Sequence, residues 1–122
     1  MTSSELRTIE RSLEAALTQI VEQRERFLAG LSFGVPKTPE ERRQWTLLCF
    51  RRHRTELELE CLSLRVEARV LNERRMGVFH AVSEARLLDV QASSRWELLA
   101  TREAELREAT AALHAAEVMA RG

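Results

Sequence analysis

Asn72-Glu73-Arg74-Arg75-Met76-Gly77 is the stretch on which the fold of this chain turns. On both sides of it apolar residues recur every three or four positions, and within it that register is lost. The stretch contains no proline, and Glu73, Arg74, Arg75 and Met76 are good helix formers, so local propensity favours helix. Only Gly77 opposes this, at a cost of about 1 kcal/mol relative to alanine.

From Thr38 to Ala120 there is no proline after Pro39 and no glycine except Gly77. The sequence therefore predicts one very long helix over 38–120, roughly 120 Å at 1.5 Å per residue. Such a rod has no interior and must fold back or lie against other chains. The alternative places a turn at 72–77 and gives a three-helix antiparallel bundle. The continuous helix is the favoured expectation: an elongated helical hairpin or coiled coil in which a short first helix covers residues 39–70 and the remainder projects as an arm.

N-terminal to this segment the signals are sharper. Thr38-Pro39-Glu40-Glu41 is a helix start, with Thr38 as cap, Pro39 in the first helical position and Glu41 placed to complete a capping box. Ser32-Phe33-Gly34-Val35-Pro36-Lys37 reads as a connection, within a loop spanning 31–37. A first helix is expected over 4–30, carrying Leu6, Ile9, Leu13, Leu17, Ile20, Phe27 and Leu31 on one face. Leu6, Leu13, Ile20 and Phe27 fall seven apart, Arg24 interrupts the stripe, and Gly30 is placed for a left-handed C-cap. Residues 1–122 are thus expected to form a single helical unit.

Composition narrows the function classes. Nineteen basic residues balance nineteen acidic ones, so no general attraction to polyanions or anionic lipid is expected. Cys49 and Cys61 lie twelve positions apart in one helix. That is roughly 18 Å, beyond disulfide reach. Together with an N-terminus unlike a signal peptide and no long apolar run, this gives a cytoplasmic expectation without membrane contact.

Chemical motifs are sparse. Cys49 and His53 share a helix face but lack the further ligands a zinc site needs. His80 sits four residues from Glu84 with no nucleophile or phosphate loop in reach. No catalytic, cofactor or metal residue is assigned, and an enzyme is not expected.

The apolar stripes carry the functional expectation. In the first half of the long segment the stripe is Trp45, Leu48, Thr55, Leu59, Leu62, Val66 and Val70, broken by Arg52. In the second half it is Phe79, Val82, Ala85, Leu88, Ala92, Trp96, Leu99, Leu106, Ala109, Leu113 and Ala116. Trp45, Leu48, Phe50, Leu59, Leu62, Val66, Phe79, Val82, Trp96, Leu99, Leu106 and Leu113 are the candidate protein interface. Arg42, Arg43, Arg51, Arg52 and Arg54, interleaved with Trp45 and Phe50, form a candidate charged interface.

The expected role is a structural or adaptor subunit of a larger cytosolic assembly, of cytoskeletal, ciliary or trafficking type. It would bridge protein partners by helix–helix packing, self-association included. A helical chaperone or stalk subunit of a protein-export machine, flagellar or type III secretion-like, is a second reading on architecture alone. A nucleic-acid binder through residues 37–54 is a third, disfavoured because Glu56, Glu58 and Glu60 follow at once.

Overall fold

The computed structural model describes residues 3–76 and 82–121, and among these every regular element is helical. Helix α1 spans Ser3–Ala29, α2 spans Pro39–Met76 and α3 spans Val82–Arg121, with a short 3-10 turn at Ser32–Gly34. The extensive packing is between α2 and α3 and between α1 and α2, which makes α2 the middle helix.

The expected rod over 38–120 is replaced by two antiparallel helices. Cross-helix ion pairs give the direction: Arg51–Glu117 at 3.9 Å, Arg102–Glu60 at 2.7 Å, Arg65–Glu103 at 2.6 Å, Arg95–Glu67 at 2.8 Å and Arg75–Asp89 at 2.9 Å. From Arg51–Glu117 to Arg75–Asp89 the numbers rise along α2 as they fall along α3, so the two helices run antiparallel. Residues 72–76, one possible site for the turn, belong to α2. Gly77, Phe79 and His80 lie outside the described residues.

The physical reason is a second apolar seam on α2. Leu57, Cys61, Leu64 and Ala68 are buried, and Leu47, Phe50 and Leu71 continue their spacing half-buried. Cys61 and Leu64 form a core cluster with Leu99 of α3, against which Leu106 packs. Leu88, Ala92 and Leu113 complete the α3 side, Leu113 being only 2% exposed. Each buried leucine contributes about 2 kcal/mol, so burying this second seam against α3 strongly favours two packed helices over a single rod.

The stripe Trp45, Leu48, Thr55, Leu59, Leu62 and Val66 is offset by two positions from the α3-facing seam. At 100° per residue the two faces lie roughly 160° apart on α2, which places α1 and α3 on well-separated sides of the middle helix. Thr55 and Leu62 are buried there and Leu6 is the buried residue of α1, while Leu13, Leu17, Ile20 and Phe27 are half-buried. Arg24, the break in the α1 stripe, lies with its guanidinium carbon 4.7 Å from the Trp45 ring centroid. Phe27 stacks on Trp45 from the same helix at 6.3 Å. The arginine thus packs by its planar cationic face rather than interrupting the contact.

The capping box forms as the sequence predicts. Glu41 N donates to Thr38 Oγ1 at 3.1 Å, and Glu41 Oε1 accepts from Thr38 N at 3.0 Å and Lys37 N at 3.3 Å. The left-handed backbone, by contrast, is not at Gly30. It falls on Phe33 and Gly34, with φ of 67° and 66°, and Gly30 N instead donates to Arg26 O at 3.0 Å.

Candidate interaction surface

The three helices do not end together. Phe27 meets Trp45 at one end of α1, while Leu6 at the other shares a groove with Cys61, Leu62 and Arg65. Beyond that point α2 continues through residues 66–76, roughly 16 Å at 1.5 Å per residue, paired with α3 from Val82 to Trp96. Among the described residues, this arm consists of α2 and α3 alone.

A groove of about 540 Å³ opens where α1 gives way to the arm, lined by Leu6, Arg65, Arg69, Trp96, Leu99, Ala100 and Glu103. Its surface is mainly apolar, and the Arg65–Glu103 pair closes one rim. Trp96 stands over it 51% exposed. Val70, Met76 and Val82 are also exposed along the arm. A further pair, Leu87 and Val90, projects elsewhere: Val90 lies roughly 160° round the helix from buried Leu88. Between Val82 and Leu98, α3 therefore also carries exposed Leu87, Val90 and Leu98 away from its buried face, among Ser83, Arg86, Gln91 and Ser94.

The opposite end of the molecule also exposes apolar side chains. Phe33 is 87% exposed in the α1–α2 connection, with the Lys37 ammonium 4.1 Å from its ring centroid. Val35, Val118 and Met119 are exposed as well. A bulky residue with positive φ is uncommon, and the sequence offered only Gly34 as its neighbour for a warning. Phe33 was absent from the expected interface because loop aromatics have no periodicity to read.

The residues expected to meet a partner divide into two groups. Leu62, Leu99 and Leu113 are buried within the chain, and Leu106 packs on its core. The helix they meet belongs to the same polypeptide, as follows from the reversal before α3. Trp45, Leu48, Phe50, Leu59 and Val66 are half-buried, Trp45 beneath α1. Val82 and Trp96 remain at the surface, and Phe79 lies outside the described residues.

The charged candidates engage groups of their own chain. Arg42 donates from Nε and Nη2 to Lys37 O at 3.2 and 2.7 Å, fixing the connection into α2. Arg43 pairs with Glu40, Arg51 with Glu117 across to α3, and Arg52 with Glu56. Arg54 Nε lies 3.1 Å from Glu58 Oε1, although its N–H is not aimed as a hydrogen bond. These pairs are partly exposed and individually weak, but they leave little of the stripe as bare positive charge.

The remaining chemistry is modest. Cys49 is half-buried and Cys61 buried, both as free thiols, and burial pushes the Cys61 thiol above its ordinary pKa with Glu103 adding to the shift. Hydrogen bonds to Glu105 and Glu60 raise Arg102, keeping it charged at the α2–α3 seam. Among the described residues no three His, Cys, Asp or Glu side chains converge as metal ligands, and no helix is long and apolar enough to cross a membrane. What fold and surface define is an all-helical chain of three packed helices with an uncovered apolar arm. No family model, curated protein or solved structure matches it.

Proposed function

We propose that this chain is a non-enzymatic helical interaction subunit that bridges other proteins through coiled-coil-like packing on its α2–α3 arm. The supporting observation is a pair of exposed apolar side chains on the outward side of α3: Leu88, Ala92 and Leu99 are buried inward while Leu87 and Val90 stand outward. An outward face of this kind on an ordered helix fits a partner helix, which would cover it by burying roughly 25 cal/mol per Å² of apolar area. The mixed ion pairs along the arm, Arg95–Glu67 and Arg75–Asp89, set the α2–α3 register and leave a charged border that selects among partners.

The test is affinity recovery from the source cell after brief cross-linking, comparing the native chain with a Leu87→Glu/Val90→Glu variant. Both positions are exposed, so the variant is expected to keep its helicity by circular dichroism. One or more proteins recovered stoichiometrically with the native chain should be lost with the variant. An identical set of partners for both, at equal abundance, removes this face from the function.

A further inference from the structure

We propose that α1 is exchanged between copies: two chains open at residues 33–34, and each lays its α1 on the α2 of the other. The occupant of the exchanged site is already visible, since α1 covers that same face of α2 within one chain. The exchange does not use the Leu87 and Val90 face, so it stands or falls apart from the bridging role.

The hinge supplies the first argument. Leu31, with φ −86° and ψ 143°, and Val35, with φ −133° and ψ 135°, are both extended. Between them Phe33 and Gly34 are left-handed, with φ of 67° and 66°. The reversal from α1 into α2 depends on these two residues, and for a bulky one such as Phe33 a positive φ is a genuine outlier. Opening both into the extended conformation of their neighbours relieves that strain and straightens the connection. The bond from Gly34 N to Leu31 O at 3.2 Å is given up, but Gly34 is exposed and water replaces it.

The second argument is what lies beside the hinge. The end of α3 is there too, for Met119 shares a groove with Arg42 and Arg43 at the start of α2. Phe33 is 87% and Met119 75% exposed, and Val35 and Val118 are exposed as well. Opened copies lie antiparallel about a two-fold axis at the hinge, and the α1–α2 contacts of one chain are remade between two. The apolar side chains left bare by the closed hairpin then meet their symmetry mates at the centre.

The third argument is that α1 is the helix free to leave. Ion pairs from Arg51–Glu117 to Arg75–Asp89 tie α3 along α2. Among the described residues of α1 only Leu6 is buried, and Leu13, Leu17, Ile20 and Phe27 are half-buried. The product is a rod with both hinges at its centre and an α2–α3 arm at each outer end.

Mass and hinge substitutions test this together. Light scattering at about 100 μM, a hundredfold above a micromolar dissociation constant, should give twice the 14.0 kDa chain mass. Phe33→Gly removes the penalty on the closed turn and should weaken the pair roughly a hundredfold, about tenfold for each hinge. Gly34→Val should shift the balance the other way by a similar factor. A Cβ there meets no atom within 4 Å, so only the backbone conformation opposes it. Both positions are exposed, so helicity should not change. In a mixture of isotope-labelled and unlabelled chains, filtered nuclear Overhauser contacts should join Phe27 of one copy to Trp45 of the other. Leu87→Glu/Val90→Glu should leave the mass doubled, which separates this test from that of the outward face. A native chain of single mass at that concentration overturns the inference, as does a dimer indifferent to both hinge substitutions. A dimer whose Phe27–Trp45 contacts stay within each chain overturns it equally, because the copies then meet without exchange.

Discussion

At the Trp45 end of the molecule α2 is covered from both sides; along the arm it is covered from one. The covered end holds the Phe27–Trp45–Arg24 stack, buried Thr55 and Leu113, and a capping box that seats the start of α2. The arm holds Ala68, Leu88 and Ala92 in its single seam and exposes Val70, Met76, Val82, Leu87, Val90 and Trp96. The two regions have comparable apolar content but different numbers of helices over which to distribute it. The same apolar spacing is therefore buried twice over where three helices meet and left partly exposed where only two do.

The strongest way to break this comparison is to make matched deletions in the two regions. Leu113→Ala empties a site only 2% exposed and should cost about 3 kcal/mol in urea unfolding. Leu87→Ala, on the outward face of the arm, should change stability by less than about 0.5 kcal/mol. Equal costs would mean that the arm is as tightly held as the covered end. A smaller effect should follow from removing the contact that attaches α1. Trp45→Ala loses the stack on Phe27 and the seat of Arg24, and should cost about 2 kcal/mol, below the range for a fully buried tryptophan. Hydrogen exchange should rise across α1 while residues 57–68 and 88–113 stay protected. Uniform deprotection would show that α1 is not separable from the α2–α3 pair.

Much of the covered end was legible in the sequence, and the arm much less so. The capping box, the connection near Gly34 and the α1 stripe were read from local chemistry that tertiary context did not overturn. The α3 stripe held in part: Leu88, Ala92, Leu99 and Leu113 are buried as their spacing implied, whereas Val82 and Trp96 are exposed. The reversal before Val82 was missed because α2 carries two seams. Leu57, Cys61, Leu64 and Ala68 interleave with Thr55, Leu59, Leu62 and Val66, so no single stripe dominates and the helix reads as weakly amphipathic. Tracing one stripe leaves the other with the look of scatter. Counting apolar residues on two faces would have shown that α2 needs two neighbours, which a rod folded only against α1 could not supply.

Smaller effects sharpen the comparison from the capped end of α2. Thr38→Ala removes the side-chain acceptor for Glu41 N and should cost about 1 kcal/mol. Exchange should increase in the first turn of α2, near Glu41 and Arg42, without reaching the arm. Cysteine alkylation gives another local reading: Cys61, buried and with its thiol pKa raised by that burial, should react far more slowly than half-buried Cys49 in the native chain, and the two should converge in denaturant. Comparable native rates would show that the α2–α3 seam opens around Cys61.

The smallest expected effect is the dependence of the cap on acid. The Glu41 carboxyl is held below the ordinary carboxylate value of about 4.5, first by the Thr38 backbone N–H, then by the Thr38 hydroxyl side chain and Lys37. A carboxyl whose pKa is lower in the folded chain contributes stability above its unfolded value and loses it as pH falls through the folded one. The contribution should therefore be complete near neutrality and fade below the ordinary carboxylate range. Glu41→Gln keeps an acceptor oxygen but cannot titrate, so its difference from the native chain should shrink steadily as pH falls and vanish once Glu41 is protonated. Thr38→Ala retains the backbone N–H that lowers Glu41 most, so it should keep much of the acid dependence while losing its own increment. If the stability difference between the native chain and Glu41→Gln stays constant from neutral to acidic pH, the Glu41 charge contributes nothing, and geometry alone seats this end of α2.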